Sequence, residues 1–209
     1  WFGKPAVSGG RAYVQIRRGQ RTGFRDSYVA ALDMTDGAPL WSRHVSSAAP
    51  PARQPIPGLA HLVLDGGWLY ADSRLGAIAR INAADGSVDW LTTVPVGPPK
   101  HADVGSPWEM GNMALAPAGL IALDVNAGEV RVIDPASGRV EREIAAEAWH
   151  RPRCLLPVGD DVIAIGEVAA RFDGKTLERE WGRTLSDSLH GQPCIAGGKL
   201  FVPSESDLT

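Results

Sequence analysis

The chain has 209 residues, and Gly (24) and Pro (16) supply nearly a fifth of them, against roughly 12 % in ordinary proteins. With 44 % hydrophobic and 22 % charged residues, that surplus signals many short elements joined by turns rather than disorder. A net charge of -3 leaves no basic footprint for nucleic acid, apolar runs such as Gly119–Leu123 fall far short of the ~20 residues of a membrane span, and two cysteines exclude a disulfide scaffold.

The start, Trp1-Phe2-Gly3-Lys4-Pro5, has no initiator Met, no charged leader and no apolar stretch, so it is not a signal peptide. Gly9-Gly10-Arg11-Ala12-Tyr13-Val14 reads as a tight turn feeding an apolar strand. A polar excursion with four Arg follows over Arg17–Asp26. It is either a solvated long hairpin or a contact for an anion or a partner. Next comes Ala31-Leu32-Asp33-Met34-Thr35-Asp36-Gly37-Ala38-Pro39-Leu40-Trp41, then a Pro-rich surface loop over Ser46–Pro57. The turn-plus-strand signature returns as Gly66-Gly67-Trp68-Leu69-Tyr70-Ala71. The second signature returns as Arg80-Ile81-Asn82-Ala83-Ala84-Asp85-Gly86-Ser87-Val88-Asp89-Trp90, and a third insert spans Pro95–Trp108.

The third unit predicts four strands: Met113–Ala116, Leu120–Leu123, Val130–Asp134 and Val140–Ile144, separated by Pro117-Ala118-Gly119, Asp124–Gly128 and Pro135–Gly138. No window carries a sustained helical period, with Ile144–His150 as the one short exception. Asp160-Asp161-Val162-Ile163-Ala164 and Arg171-Phe172-Asp173 open a fourth pair of signatures, and Gly197-Gly198-Lys199-Leu200-Phe201-Val202 opens a fifth. The anchors Asp33, Asn82, Asp134 and Asp173 lie 49, 52 and 39 residues apart. Gly stands at +4 and Trp at +8 in the first two copies. Arg142 replaces Trp in the third, while the fourth has Leu177 in the Gly place and Trp181 at +8.

Units of about 40–50 residues with four short strands are propeller blades in size. The motif Ala-Leu-Asp-x-x-x-Gly-x-x-x-Trp resembles the tryptophan-docking motif of PQQ-like (quinoprotein-type) β-propellers over nearly the whole chain. The fold expected is all-β, a β-propeller of four-stranded blades with about four and a half blades present, part of a larger ring. The blades are expected at residues 1–45, 58–95, 108–148, 150–186 and, in part, 188–209. The remaining blades would come from the same longer chain or from another. Trp41, Trp90 and Trp181, with Gly37, Gly86 and Gly138, are expected to make inter-blade packing.

The resemblance also implies a test for enzyme activity. Quinone-dependent relatives commonly use a vicinal disulfide, a Trp platform and a calcium set of Glu, Asn and Asp. Here Cys154 and Cys194 are 40 residues apart, and no acidic cluster has calcium spacing. No cofactor or metal site is therefore expected. The five His form no HxH or HExxH group, Gly-x-Ser-x-Gly is missing, and Ser186-Asp187-Ser188-Leu189-His190 shows only sequence proximity. The two cysteines either bridge neighbouring blades or stay as two buried thiols. Trp68, Trp108 and Trp149 are packing residues by default, with partner anchoring as the alternative.

Polar residues recur where each first strand begins: Lys4, His61, Asn112, Arg153 beside Cys154, and Gln192. They are solvated strand ends or a polar ring at the channel face that holds a small ligand or a protein partner. The function expected is a non-catalytic binding or scaffold module, a segment of a larger protein of the periplasm or cell envelope. The alternatives are a fragment of a quinone-dependent dehydrogenase and a sensor domain of a signalling protein.

Overall fold

A computed structural model describes residues 4–19, 23–49, 61–94, 113–124, 128–185 and 193–203. They form two compact units, Trp1–Pro98 with Pro135–Arg139, and Pro99–Asp134 with Val140–Thr209. Each unit is built from up-and-down antiparallel sheets.

In the first unit, β1 (Ala6–Ser8), β2 (Arg11–Gly19), β3 (Arg25–Asp33) and β4 (Pro39–Ala48) pair in chain order. A second sheet pairs β5 (His61–Asp65), β6 (Trp68–Asp72), β7 (Ala77–Asn82) and β8 (Val88–Thr93) in the same way. Within the excursion over Arg17–Asp26, Arg17–Gly19 and Arg25–Asp26 are strand: β2 and β3 stay in register out to Gly19 opposite Arg25. The sheets bury Tyr13, Val29 and Ala31 against Leu69, Ala71, Ala79 and Ile81. Side chains on alternate positions share a face, so the small Ala residues of β3, β6 and β7 let the two sheets approach closely.

The second unit holds β9 (Met113–Ala116), β10 (Gly119–Asp124), β11 (Glu129–Ile133) and β12 (Val140–Ala145). A 3-10 turn at Ala146–Trp149 leads to β13 (Cys154–Val158), β14 (Asp161–Ile165), β15 (Val168–Phe172) and β16 (Arg179–Thr184). A last pair, β17 (Cys194–Ala196) and β18 (Lys199–Phe201), forms a two-stranded sheet. The third-unit strands lie within a residue or two of the sequence expectation. In the fourth copy the tight turn is Gly159-Asp160, one residue earlier than read, because Gly159 supplies the positive φ of +60.

The repeated Asp/Asn…Gly signature has a local cause. The side-chain oxygen of Asp33, Asn82 and Asp173 accepts the backbone N–H two residues on, at 2.7, 2.8 and 2.9 Å. The N–H at +4 then closes back on the anchor's carbonyl at 2.8–2.9 Å, from Gly37, Gly86 and Leu177. That closure needs a left-handed residue at +4, with φ of +75, +74 and +63. A bulge between strands three and four sits beside the +8 position in all four complete sheets, after Ala31, Arg80, Val132 and Arg171. The extra residue twists the outer strand and aims the side chain that follows.

Candidate functional site

Two kinds of site emerge: the contact that joins one sheet to the next, and a polar end of the first unit. The joining contact starts from Trp41 on β4. Its indole lies over the turn after β7, and its Nε1 donates to Ala83 O at 3.2 Å. A Cβ on Gly86 would stand 2.6 Å from Trp41 Cε3, so only glycine leaves room for the ring. Arg11 Nη1 donates to Ala84 O at 2.9 Å, and Arg43 Nε donates to Gly86 O at 2.7 Å. Trp90 repeats the grip: its Nε1 donates to Pro135 O at 3.0 Å, and a Cβ on Gly138 would meet its ring at 2.6 Å. Thr92, two residues on like Arg43, donates to Gly138 O. The glycine that seats each indole thus belongs to the following repeat.

Gly37 has no described atom within 4 Å of its Cβ position, and Trp181 is 38 % exposed on the open strand β16. Where the third repeat has Arg142 for Trp, the receiving glycine is replaced too, by Leu177. In that unit Trp149 stacks on Phe172 with centroids 4.0 Å apart and planes 10° from parallel. Trp149 is therefore buried core and not an exposed anchor. Trp68 lies under the Arg80 guanidinium at 3.9 Å, and Trp108 lies outside the described residues.

The polar end of the first unit gathers residues from four strands and one loop. Lys4 precedes β1 and is exposed. His61 opens β5 and pairs across to Asp72 at the end of β6. Burial, reinforced by the Lys4 charge, pushes the His61 imidazole down to about 4, so it is neutral near pH 7. Its Nδ1 is buried with no hydrogen-bond partner among the described residues. Gln15 Nε2 donates to Ser27 Oγ and to Asp72 O, both at 2.9 Å, and ties the two sheets together. Two residues on, Arg17 Nη2 reaches Ser73 O at 3.5 Å.

Arg153, in the second unit, is half-buried, and its backbone N–H donates to Ile165 O at 2.7 Å. Asn112 and Gln192 fall outside the described residues. Both thiols are free: Cys154 is buried and Cys194 exposed. Neither the bridge nor the pair of buried thiols is present, because the two-stranded sheet leaves Cys194 uncovered. Burial holds the Cys154 thiol up at about 12. Among the described residues no three His, Cys, Asp or Glu side chains converge as a metal ion requires. Among the same residues, no helix is long and apolar enough to cross a membrane.

A family model described as outer membrane protein assembly factor BamB matches residues 1–209. The chain belongs to this family. Its sheets are the blades of a β-propeller, and solved propellers agree with them. BamB from Moraxella catarrhalis superposes with a TM-score of 0.58 at 18 % identity, over 96 % of this chain and 57 % of that one. Sqt1 from Saccharomyces cerevisiae gives 0.52 at 15 %, over 91 % and 56 %. A quinohemoprotein alcohol dehydrogenase from Pseudomonas putida gives 0.59 at 9 %, over 96 % and 44 %. The chain thus spans about half the length of these relatives, from 44 to 57 %. No curated protein matches it.

Proposed function

We propose that this chain is a non-catalytic binding module of a BamB-type envelope assembly factor, using the polar end of its first unit to hold a protein partner. The observation that carries the reading is the BamB family match over residues 1–209. The side chains support it: arginines and an exposed aromatic, Phe24, share the tip of the β2–β3 hairpin, a composition favoured at protein interfaces. Lys4 and His61 border that end.

Photo-crosslinking from Phe24 in the native cell envelope tests the reading. The expected result is a cross-link to a component that assembles outer-membrane proteins. Absence of any such cross-link, with the protein present at normal abundance, overturns it. The likeness to the quinohemoprotein dehydrogenase supports a second reading, a segment of a quinone-dependent enzyme. Dye reduction with an alcohol after adding pyrroloquinoline quinone and calcium would establish that reading in place of the first.

A further inference from the structure

Where the β1–β2 turn meets the ends of β5, β6 and β7, the first two sheets leave a cleft of about 760 Å3. Residues opposite one another in an antiparallel pair share a face, and so do alternate residues along a strand. Ser8 stands opposite Arg11, and Tyr13 follows Arg11 by two, so all three look across at the second sheet. Tyr13 is 3 % exposed and forms an aromatic wall of the cleft. The second sheet supplies Asp65 from the end of β5, Trp68 from the start of β6 and Asn82 from the end of β7. The mouth stays open, because a Cβ on Gly9, Gly66 or Gly67 at the adjoining turns would meet nothing within 4 Å.

The fold uses only some of the polar groups in this cleft. Arg11 Nη1 straps the sheets together by donating to Ala83 O at 3.3 Å and Ala84 O at 2.9 Å. Its Nε and Nη2 donors have no partner among the described residues. Asp33, opposite Arg11 in the first sheet, accepts the Thr35 N–H at 2.7 Å. Its hydrogen bonds with Thr35, and more weakly the Arg11 charge, hold the Asp33 carboxyl below its usual range. Asn82 Oδ1 accepts the Ala84 N–H at 2.8 Å, which leaves the Nδ2 donors over. The Ser8 and Tyr13 hydroxyls and the exposed Asp65 carboxylate have no hydrogen-bond or ion-pair partner among the described residues. Arg11 and Asp65 thus bring opposite charges into one cleft without pairing with each other.

We propose that this cleft binds a short zwitterionic peptide, with its carboxylate on Arg11 and its ammonium on Asp65. At pH 7 the α-carboxyl of a free peptide is ionised and its α-amino group protonated. A guanidinium fork matches a carboxylate with parallel N–H···O bonds, and the unspent Arg11 donors can supply them. An inorganic anion would leave Asp65 unmatched, and a ligand of one sign of charge would meet a like charge at one end. The volume lies within the roughly 300–1,000 Å3 of small-ligand sites and leaves room for about two or three residues. Asn82 Nδ2 and the Ser8 hydroxyl can serve the peptide groups between the termini. Tyr13 and Trp68 offer apolar surface to the side chains. The cleft lies at the opposite end of β2 from the tip that carries Phe24, so the site goes beyond the binding reading above and does not rest on it.

Isothermal titration calorimetry at pH 7 with the tripeptide Ala-Leu-Ala tests the site. The expected result is saturable binding that weakens about tenfold when the C-terminus is amidated. Acetylation of the N-terminus should weaken it about threefold, since Asp65 is exposed. In Arg11→Gln, amidation should make no further difference, and in Asp65→Asn, acetylation should make none. Arg11→Gln also removes the strap between the sheets. If that variant loses its circular dichroism, Asp65→Asn, on an exposed turn, carries the test alone. No saturable binding by the wild-type protein overturns the site. So does equal affinity for the peptide capped at both ends, which would make the cleft a seat for an internal segment of a protein chain. Caps that act as strongly in Asp65→Asn as in the wild type overturn it too.

Discussion

Gly86→Ala offers the sharpest perturbation, because Gly37 is its built-in control. Both glycines occupy the +4 place with nearly the same φ, +74 and +75, so alanine pays the same left-handed penalty at each, about 1 kcal/mol. They differ in what the new methyl meets. At Gly37 no described atom lies within 4 Å, whereas at Gly86 the Trp41 ring stands at 2.6 and 2.7 Å. The ring cannot retreat without giving up its bond to Ala83 O at 3.2 Å and its packing, an overpacking cost of about 1–3 kcal/mol. Gly86→Ala is therefore expected to destabilise by about 3 kcal/mol and Gly37→Ala by about 1. Urea titrations followed by both circular dichroism and tryptophan fluorescence measure the two. Equal losses would refute the claim that Gly86 is a seat for the indole and reduce it to a turn former.

Trp149→Ala should cost about 3–5 kcal/mol, since the ring is 3 % exposed and stacked on Phe172; a loss under about 1 kcal/mol would remove it from the core. His61 makes stability depend on pH. Folded, it titrates near 4, and unfolded near 6.5, so the unfolded chain binds the extra proton between those values. The stability present above pH 6.5 falls by about 3 kcal/mol as pH drops to 4. His61→Gln should flatten that part of the profile, and an unchanged slope would contradict the burial of the ring. Mass spectrometry after brief iodoacetamide treatment of the native protein should find Cys194 alkylated and Cys154 untouched, in line with their exposure; equal labelling would show that β13 does not bury its thiol.

The fold was legible because its signals are local. Asp33, Asn82 and Asp173 cap their own turns, and Gly-Gly pairs set the hairpins, so five-residue windows carry the information. The partner relations were less legible because they cross from one repeat to the next. The indole of Trp41 and the glycine that seats it are 45 positions apart, with nothing in either window naming the other. Trp149 hid for another reason: a single 3-10 turn is too short to show which face is buried. Of the polar end, the sequence offered Lys4, His61 and the arginines of the first hairpin as separate features. It gave no sign that Arg74 takes a left-handed backbone, with φ +56, at a residue that carries no glycine signal. Gln15, which ties the two sheets, is equally silent in sequence.

The exchange of Trp and Gly for Arg142 and Leu177 has a thermal consequence. The first and second sheets share an apolar contact too, but add directional bonds from indole and guanidinium N–H groups to the carbonyls of one turn. The third and fourth are joined mainly by apolar contact among Val132, Trp149, Phe172 and Leu177. Apolar contact weakens on cooling, while hydrogen bonds to carbonyls do not share that dependence. Chilled toward freezing, the second unit should loosen between its sheets while the first holds, so its strand amides should exchange with deuterium sooner in the cold.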